Sequence, residues 1–331
     1  MYQRVRKLVS VSQAKKLCPI DFSASKIDFD NNIKEIICGK GKFLLIIGPC
    51  SADNHDAVLK YCEHLKRISE KVKDKIFIVP RIYTTKPRSE AGAYRGILHS
   101  PDCISENINK GILSARKLMI DVAKNFDFFA ADEMLYPNLY SYFDDLLSYI
   151  TIGSRSSEDQ LHRLAASGLD VAVGIKNPMH GNLKSLAQAI KTANLSNHFT
   201  LNGYEIVSSG NSSAHAILRG FVDSCGKMQA NYSREYIDKF AFECSELNLN
   251  PAVIIDCNHA NSGKNYQIEL QVAMAVVNNL TNNNIVKGLM IESYLLDGKQ
   301  NKPIEFGKSL TDECLGIEKT EKLIYDIAQK L

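Results

Sequence analysis

Tryptophan is missing from this chain altogether, and no Cys-x-x-Cys pair occurs among its nine cysteines. Odd in number and scattered from Cys18 to Cys314, these thiols argue against a disulfide framework and a structural zinc knuckle, and they fit a reducing cytoplasm. No apolar run approaches the length that spans a bilayer. The opening stretch MYQRVRKLVSVSQAKKLCP lacks the apolar core of a secretory signal and reads as a basic surface extension. An excess of one charge is lacking too: 40 basic against 37 acidic residues leave +3, so no broad field draws in nucleic acid and any anion site is local. Nor is there a low-complexity tract or a Pro/Gly/Ser-rich linker, so the 331 residues are expected to form one catalytic domain.

What the chain has is alternation. Short β-rich runs occupy 43–50, 76–82, 126–133, 148–155, 171–177, 215–220, 252–259 and 286–293. Between and after them come segments with i, i+3, i+4 spacing, among them AVLKYCEHLKRISEKV, NKGILSARKLMIDVAKN, NLYSYFDDLLSY, EDQLHRLAASG and EKTEKLIYDIAQKL. Eight near-continuous apolar strands alternating with eight helices predict a parallel sheet covered on its outside, the count that closes an α/β fold into a (β/α)8 TIM barrel. The expected division is an N-terminal extension over residues 1–42 and the barrel over 43–331.

Nearly every predicted strand ends on a chemically able residue: Cys50, Arg81, Glu133, Arg155, Lys176, Arg219, His259 and Glu292. One such residue is ordinarily a packed or ion-paired side chain. Eight at equivalent positions match the rule that such barrels gather their chemistry at the C-terminal ends of the strands. Two groups separate by ligand type. Arg81, Arg155, Lys176 and Arg219 are cations that repel one another unless an anion lies among them, and their geometry suits phosphate and carboxylate. Cys50, His259 and Glu292, with Asp312 after the last strand, offer sulfur, imidazole and carboxylate, a set for one borderline divalent ion such as Mn, Fe, Co or Zn. For Asp312 the competing reading is a cap on the final helix, by itself or by Thr311. In the basic loop RIYTTKPRSEAGAYRG (81–96), Lys86, Arg88 and Ser89 could bind a second phosphate, and a lysine beside a metal could act as general acid. Ser157 with Gln160 has capping-box spacing beside Arg155. GKGKF and NSGK lack the spacing of a phosphate-binding loop and carry no nucleotide reading. Of the remaining histidines, His215 is the one expected in the core.

Taken together, IIGPCSADN, RIYTTKPRS, GSRSSEDQLHR, GIKN, AHAILRG, IIDCNHANSGK, LMIESYLLDG and GKSLTDECLG resemble the class I 3-deoxy-D-arabino-heptulosonate 7-phosphate (DAHP) synthases, from about residue 40 onward. The resemblance implies a transferase of the shikimate pathway. Such an enzyme condenses phosphoenolpyruvate with erythrose 4-phosphate and water, releasing DAHP and phosphate, with one divalent metal ion. It implies that Arg81, Arg155, Lys176 and Arg219 bind phosphoenolpyruvate and that Lys86, Pro87, Arg88 and Ser89 take up the aldose phosphate. It further implies Cys50, His259, Glu292 and Asp312 as metal ligands, with Lys86 and Glu133 catalytic. A cytoplasmic homodimer or homotetramer is expected, with neither nucleic acid nor membrane as partner, because the N-terminal region of such proteins commonly supports oligomer contacts. Departures are a serine where threonine is usual in KPRS, isoleucine where tryptophan is usual in CLGIEKTE, and a short 199–211 segment that argues against inhibition by Phe or Tyr.

Overall fold

In this computed structural model, which describes residues 1–88, 90, 92–280 and 284–331 except the side chains of Ser23 and Ala24, the eight apolar runs are eight parallel strands. They are β1 (Phe43–Gly48), β2 (Ile76–Pro80), β3 (Ala130–Glu133), β4 (Leu147–Ile152), β5 (Ala172–Lys176), β6 (Ala214–Leu218), β7 (Val253–Asp256) and β8 (Val286–Glu292). Their hydrogen-bonded order is β2-β1-β8-β7-β6-β5-β4-β3. A parallel bridge between Arg81 and Ala131, with Ile82 N donating to the Ala131 carbonyl at 2.9 Å, brings the two edges together, so the sheet is a nearly closed barrel.

Period-two alternation sorts each strand's side chains into two packed sets. On β1, Leu44 and Ile46 join Val79, Ala131, Tyr149, Ile217, Ile254 and Met290 inside the barrel, while Leu45 and Ile47 belong to the larger cluster shared with the helices. The floor comes from the segment before β1. Helix α1 (Val11–Leu17) opens with a capping box built by Ser10 and Gln13, and α2 (Ser23–Ile37) inserts Ile33, Ile36 and Ile37 into the interior cluster. Phe29 anchors α2 further, its ring 4.7 Å from Phe77 and 5.4 Å from Phe129.

Around the outside run α3 (His55–Val72), α4 (Ile108–Phe126), α5 (Gln160–Ala166), α6 (Leu183–Asn194), α7 (Arg234–Glu246), α8 (Tyr266–Asn278) and α9 (Ile317–Lys330). One expected helix is absent among the described residues. NLYSYFDDLLSY forms a 3-10 turn over Pro137–Tyr142, and its apolar end Leu147–Tyr149 is the start of β4. Its periodicity was that of a turn running straight into a strand, with the Leu146 and Leu147 amides both folding back onto the Phe143 carbonyl. The 199–211 segment contributes most of a small antiparallel hairpin pairing His198–Leu201 with Tyr204–Val207. His215 sits in the interior as expected, 2.7 Å from the Tyr149 hydroxyl. No helix among the described residues is long and apolar enough to cross a membrane.

Because Ile33 is fully buried at the barrel floor, Ile33→Ala is expected to cost about 2–5 kcal/mol. Urea unfolding should show this as a lower midpoint at unchanged slope; a shift below about 1 kcal/mol would show that the floor contributes little packing.

Candidate active site

All strands point the same way, so their C-terminal ends open on one face. There a pocket of about 590 Å³ is lined by Lys86, Pro87, Arg88, Glu133, Arg155, Lys176, Arg219, His259 and Asp312, together with Gly153, Ser154, Met179 and Lys264. Of the other strand-end residues, Cys50, Arg81 and Glu292 lie fully buried behind it. Ser89 lies outside the described residues.

The backbone positions these groups by close fits. Asp132 accepts from Thr84 N at 2.8 Å, Thr84 Oγ1 at 2.6 Å and Glu133 N at 2.7 Å, clamping the loop that carries Lys86 to the end of β3. Burial pushes the Asp132 carboxyl up to about 7. Gly153 leaves room for Glu133, since a Cβ there would lie 2.1 Å from Glu133 Oε1.

On the anion side, Lys176 ends its buried strand against Asp256, Nζ to Oδ2 2.9 Å. Arg81 pairs with Glu292 at 2.8 Å and lies 4.0 Å over the Tyr83 ring, while its Nε and Nη1 have no acceptor among the described residues. Arg219 is buried, which makes its charge costly, and Arg155 adds repulsion; among the described residues its guanidinium donates only to the Met179 sulfur, at 3.5 Å. The exposed Arg155 has no ion-pair partner among the described residues. Arg155 and Arg219, with no carboxylate partner at ion-pair distance among the described residues, and the unpartnered edge of Arg81 can receive a small molecule bearing phosphate and carboxylate.

On the other side, a sulfur of Cys50 and one oxygen each of Glu292 and Asp312 lie within 4.8 Å of one another. One sulfur and two carboxylates within such a span fit a single borderline divalent ion and suit magnesium or calcium poorly. The main chain supports the set: Asp312 N donates to Cys50 Sγ at 3.3 Å, and Cys50 N to Cys314 Sγ at 3.3 Å. Burial and the Glu292 charge push the Cys50 thiol up to about 11. Burial works against ionisation of Asp312 as well, but Lys86 and Arg88 outweigh it and hold the carboxyl well below the usual range. For Glu292, burial again works against ionisation, and Arg81 and Lys86 outweigh it and lower the carboxyl. Lys86 Nζ stands 3.9 Å from Glu292 Oε1, and Cys50, Glu292 and Glu133 overcome its burial to hold its proton more tightly than usual.

His259 faces the same pocket but is not in the trio; its Nδ1 lies 2.9 Å from Asp256 Oδ2. Asp312 is no helix cap, because α9 is capped by Gly316. Nor does Ser157 cap α5: Asp159 does so through His162 N, and Ser157 Oγ donates to the Ser154 carbonyl. Asp159 precedes the short helix directly, and that proximity prevails over the capping-box spacing.

Several residues escaped sequence reasoning. Lys264 of NSGK lines the pocket although its motif cradles no nucleotide. Asp256 is a carboxylate inside an apolar strand, and Glu269 reaches in from α8 to accept Glu292 N at 2.7 Å. Nothing in the helical spacing sets Glu269 apart, whereas an acid ending the run VIID was a readable signal.

The sequence profile of the DAHP synthetase I family matches residues 18–324. A phospho-2-dehydro-3-deoxyheptonate aldolase of Haemophilus influenzae is 35% identical over 305 residues, covering 88% of this chain and 82% of that protein. The Tyr-sensitive phospho-2-dehydro-3-deoxyheptonate aldolase of Escherichia coli is 34% identical over 339 residues, covering 98% and 93% respectively. Among solved structures, the phospho-2-dehydro-3-deoxyheptonate aldolase of Francisella tularensis superposes with a TM-score of 0.93 at 31% identity, over 100% of this chain and 98% of that one.

The two carboxylates of the trio are held ionised, whereas the thiol near 11 carries its proton at neutral pH. Binding of a divalent ion is therefore expected to release about one proton per ion between pH 7 and 9, with affinity rising about tenfold per pH unit. Calorimetry in buffers of different ionisation enthalpy counts the protons; zero release would remove Cys50 from the donor set.

Proposed function

The chain belongs to the DAHP synthetase I family, and we infer from that membership and the chemistry of the mouth that it condenses phosphoenolpyruvate with erythrose 4-phosphate and water, yielding DAHP and phosphate. The observation that carries this reading is one pocket lined by Arg155, Lys176, Arg219, Lys86 and Glu133, with Arg81 buried behind it and the Cys50, Glu292 and Asp312 cluster at its edge.

Arg81, Arg155, Lys176 and Arg219 hold phosphoenolpyruvate by its phosphate and carboxylate, supported by Arg81 Nε and Nη1, which have no acceptor among the described residues, and by Arg219, whose side chain meets only the Met179 sulfur among them. Lys86, Pro87, Arg88 and Ser89 receive the aldose phosphate, with Arg88 now resting 3.5 Å from Asp312. Cys50, Glu292 and Asp312, with His259 from the same rim, would hold one ion of Mn, Fe, Co or Zn. Bound there, such an ion supplies Lewis acidity toward the aldehyde oxygen. As C3 of the enol phosphate attacks the aldehyde carbon, Lys86 delivers its tightly held proton to the developing alkoxide. The charge left at C2 draws in a water, which Glu133 orients and deprotonates. Breakdown of the resulting phosphohemiketal by C–O cleavage then releases phosphate into the cation cluster.

Residues 1–42 are proposed as an extension that adds oligomer contacts to the barrel of 43–331, supported by the exposed Met1, Tyr2 and Val5. A homodimer or homotetramer is the expected assembly; a single-chain mass by sedimentation equilibrium would overturn it. Nine free thiols support a cytoplasmic location.

Purified protein given manganese is expected to consume phosphoenolpyruvate with erythrose 4-phosphate and not with arabinose 5-phosphate, and a chelator is expected to stop it. Cys50→Ala should abolish metal-dependent turnover, and Lys86→Met should lower kcat by about 10²–10⁴, both with the native circular dichroism retained. Turnover with the five-carbon sugar instead would reassign the substrate, and full activity of Cys50→Ala with metal still bound would overturn the ligand set.

A further inference from the structure

Asp256 ends β7 without a part in the chemistry above. It is fully buried, and one of its oxygens, Oδ2, lies 2.9 Å from Lys176 Nζ and 2.9 Å from His259 Nδ1. The other oxygen accepts the Asn258 backbone N–H at 3.1 Å. Neither Oδ2 nor His259 Nδ1 has an aligned hydrogen-bond partner among the described residues, so proximity and charge hold the three groups together.

An ordinary interior ion pair would need only Lys176. Here the same oxygen also reaches a histidine, and the two partners belong to opposite halves of the mouth. The turn carrying His259 is constrained on every side. His259 has a left-handed backbone (φ 56°), a conformation costly to a residue with a Cβ. Its N–H donates to Asn258 Oδ1 at 2.7 Å, its carbonyl accepts Lys264 N at 2.7 Å, and Asn258 Nδ2 donates to Glu292 Oε2 at 2.5 Å. With the backbone fixed in this way, Asp256 is the carboxylate that faces the ring at Nδ1.

We propose that Asp256 is a positioning residue whose carboxylate keeps the ring proton of His259 on Nδ1, so that Nε2 keeps its lone pair for a divalent ion, while the same oxygen holds Lys176 at the anion pocket. The proposal rests on the donor set of Cys50, His259, Glu292 and Asp312 given above. A carboxylate behind a ligating imidazole fixes tautomer and ring direction and strengthens the ligand. If Asp256 were only the counter-ion of Lys176, metal affinity would be indifferent to it.

The test is Mn²⁺ binding to substrate-free protein, followed by the electron paramagnetic resonance of the free ion. Asp256→Asn keeps the shape and removes the charge, and it is expected to weaken binding about 10–100-fold. The thiolate-to-metal absorption of the Co²⁺ form should persist, because Cys50 still ligates. In a His259→Ala background, adding Asp256→Asn should weaken Mn²⁺ by no more than a further factor of about two. Wild-type affinity in Asp256→Asn, or an undiminished second loss on top of His259→Ala, overturns the positioning role. Should the Asn variant fail to fold, Asp256→Glu is read instead. Affinity between wild type and His259→Ala supports the role, and wild-type affinity overturns it. A wild-type chain that binds no Mn²⁺ fails the donor-set reading itself, an outcome distinct from binding that ignores Asp256.

Discussion

The mouth of this barrel is organised around a buried ion pair, Arg81 with Glu292 at 2.8 Å and both fully excluded from solvent. Removing two charges from water costs several kcal/mol each, and attraction offsets that only where further groups satisfy the remaining polar atoms. Glu292 has them: Asn258 on one oxygen, Lys86 near the other, and Glu269 on its own backbone N–H. Arg81 lacks them in part and lies over Tyr83 instead. Both carboxylate oxygens have partners, whereas Nε and Nη1 of the guanidinium have none among the described residues.

Barrel geometry makes this pair possible. β2 and β8 flank β1, so Arg81 and Glu292 reach each other over the end of the strand that also carries Cys50. The same convergence places Lys176 and His259 on one oxygen of Asp256 although they are far apart in the chain. The cation-rich half of the mouth and the half that holds Cys50 and His259 therefore share their supporting carboxylates. Strong demand for rigidity follows, met by Tyr83, Tyr149 and His215, whose hydroxyls and imidazole find partners inside the barrel.

The α2 floor adds a second constraint. A barrel interior open at its N-terminal end would leave Leu44, Ile254 and their neighbours wet, and Ile33, Ile36 and Ile37 prevent this. Function stays at the opposite end, where loops can vary without disturbing that packing.

The sequence by itself determined the strand count and the identity of most mouth residues, because apolar runs and strand-end placement depend only on spacing along the chain. Capping was less legible: Asp159 displaced Ser157 because side-chain reach at a helix start depends on where the first turn closes. The Pro137 segment failed as a helix because apolar spacing alone cannot tell a turn entering a strand from a short amphipathic helix. Only the tertiary structure decided that Glu269 supports Glu292, that Asp256 is shared, that Lys264 enters the pocket and that His259 stands apart from the Cys50, Glu292 and Asp312 trio. These are distances between residues on different elements, and they exist only once the sheet has curved round to bring its strand ends together.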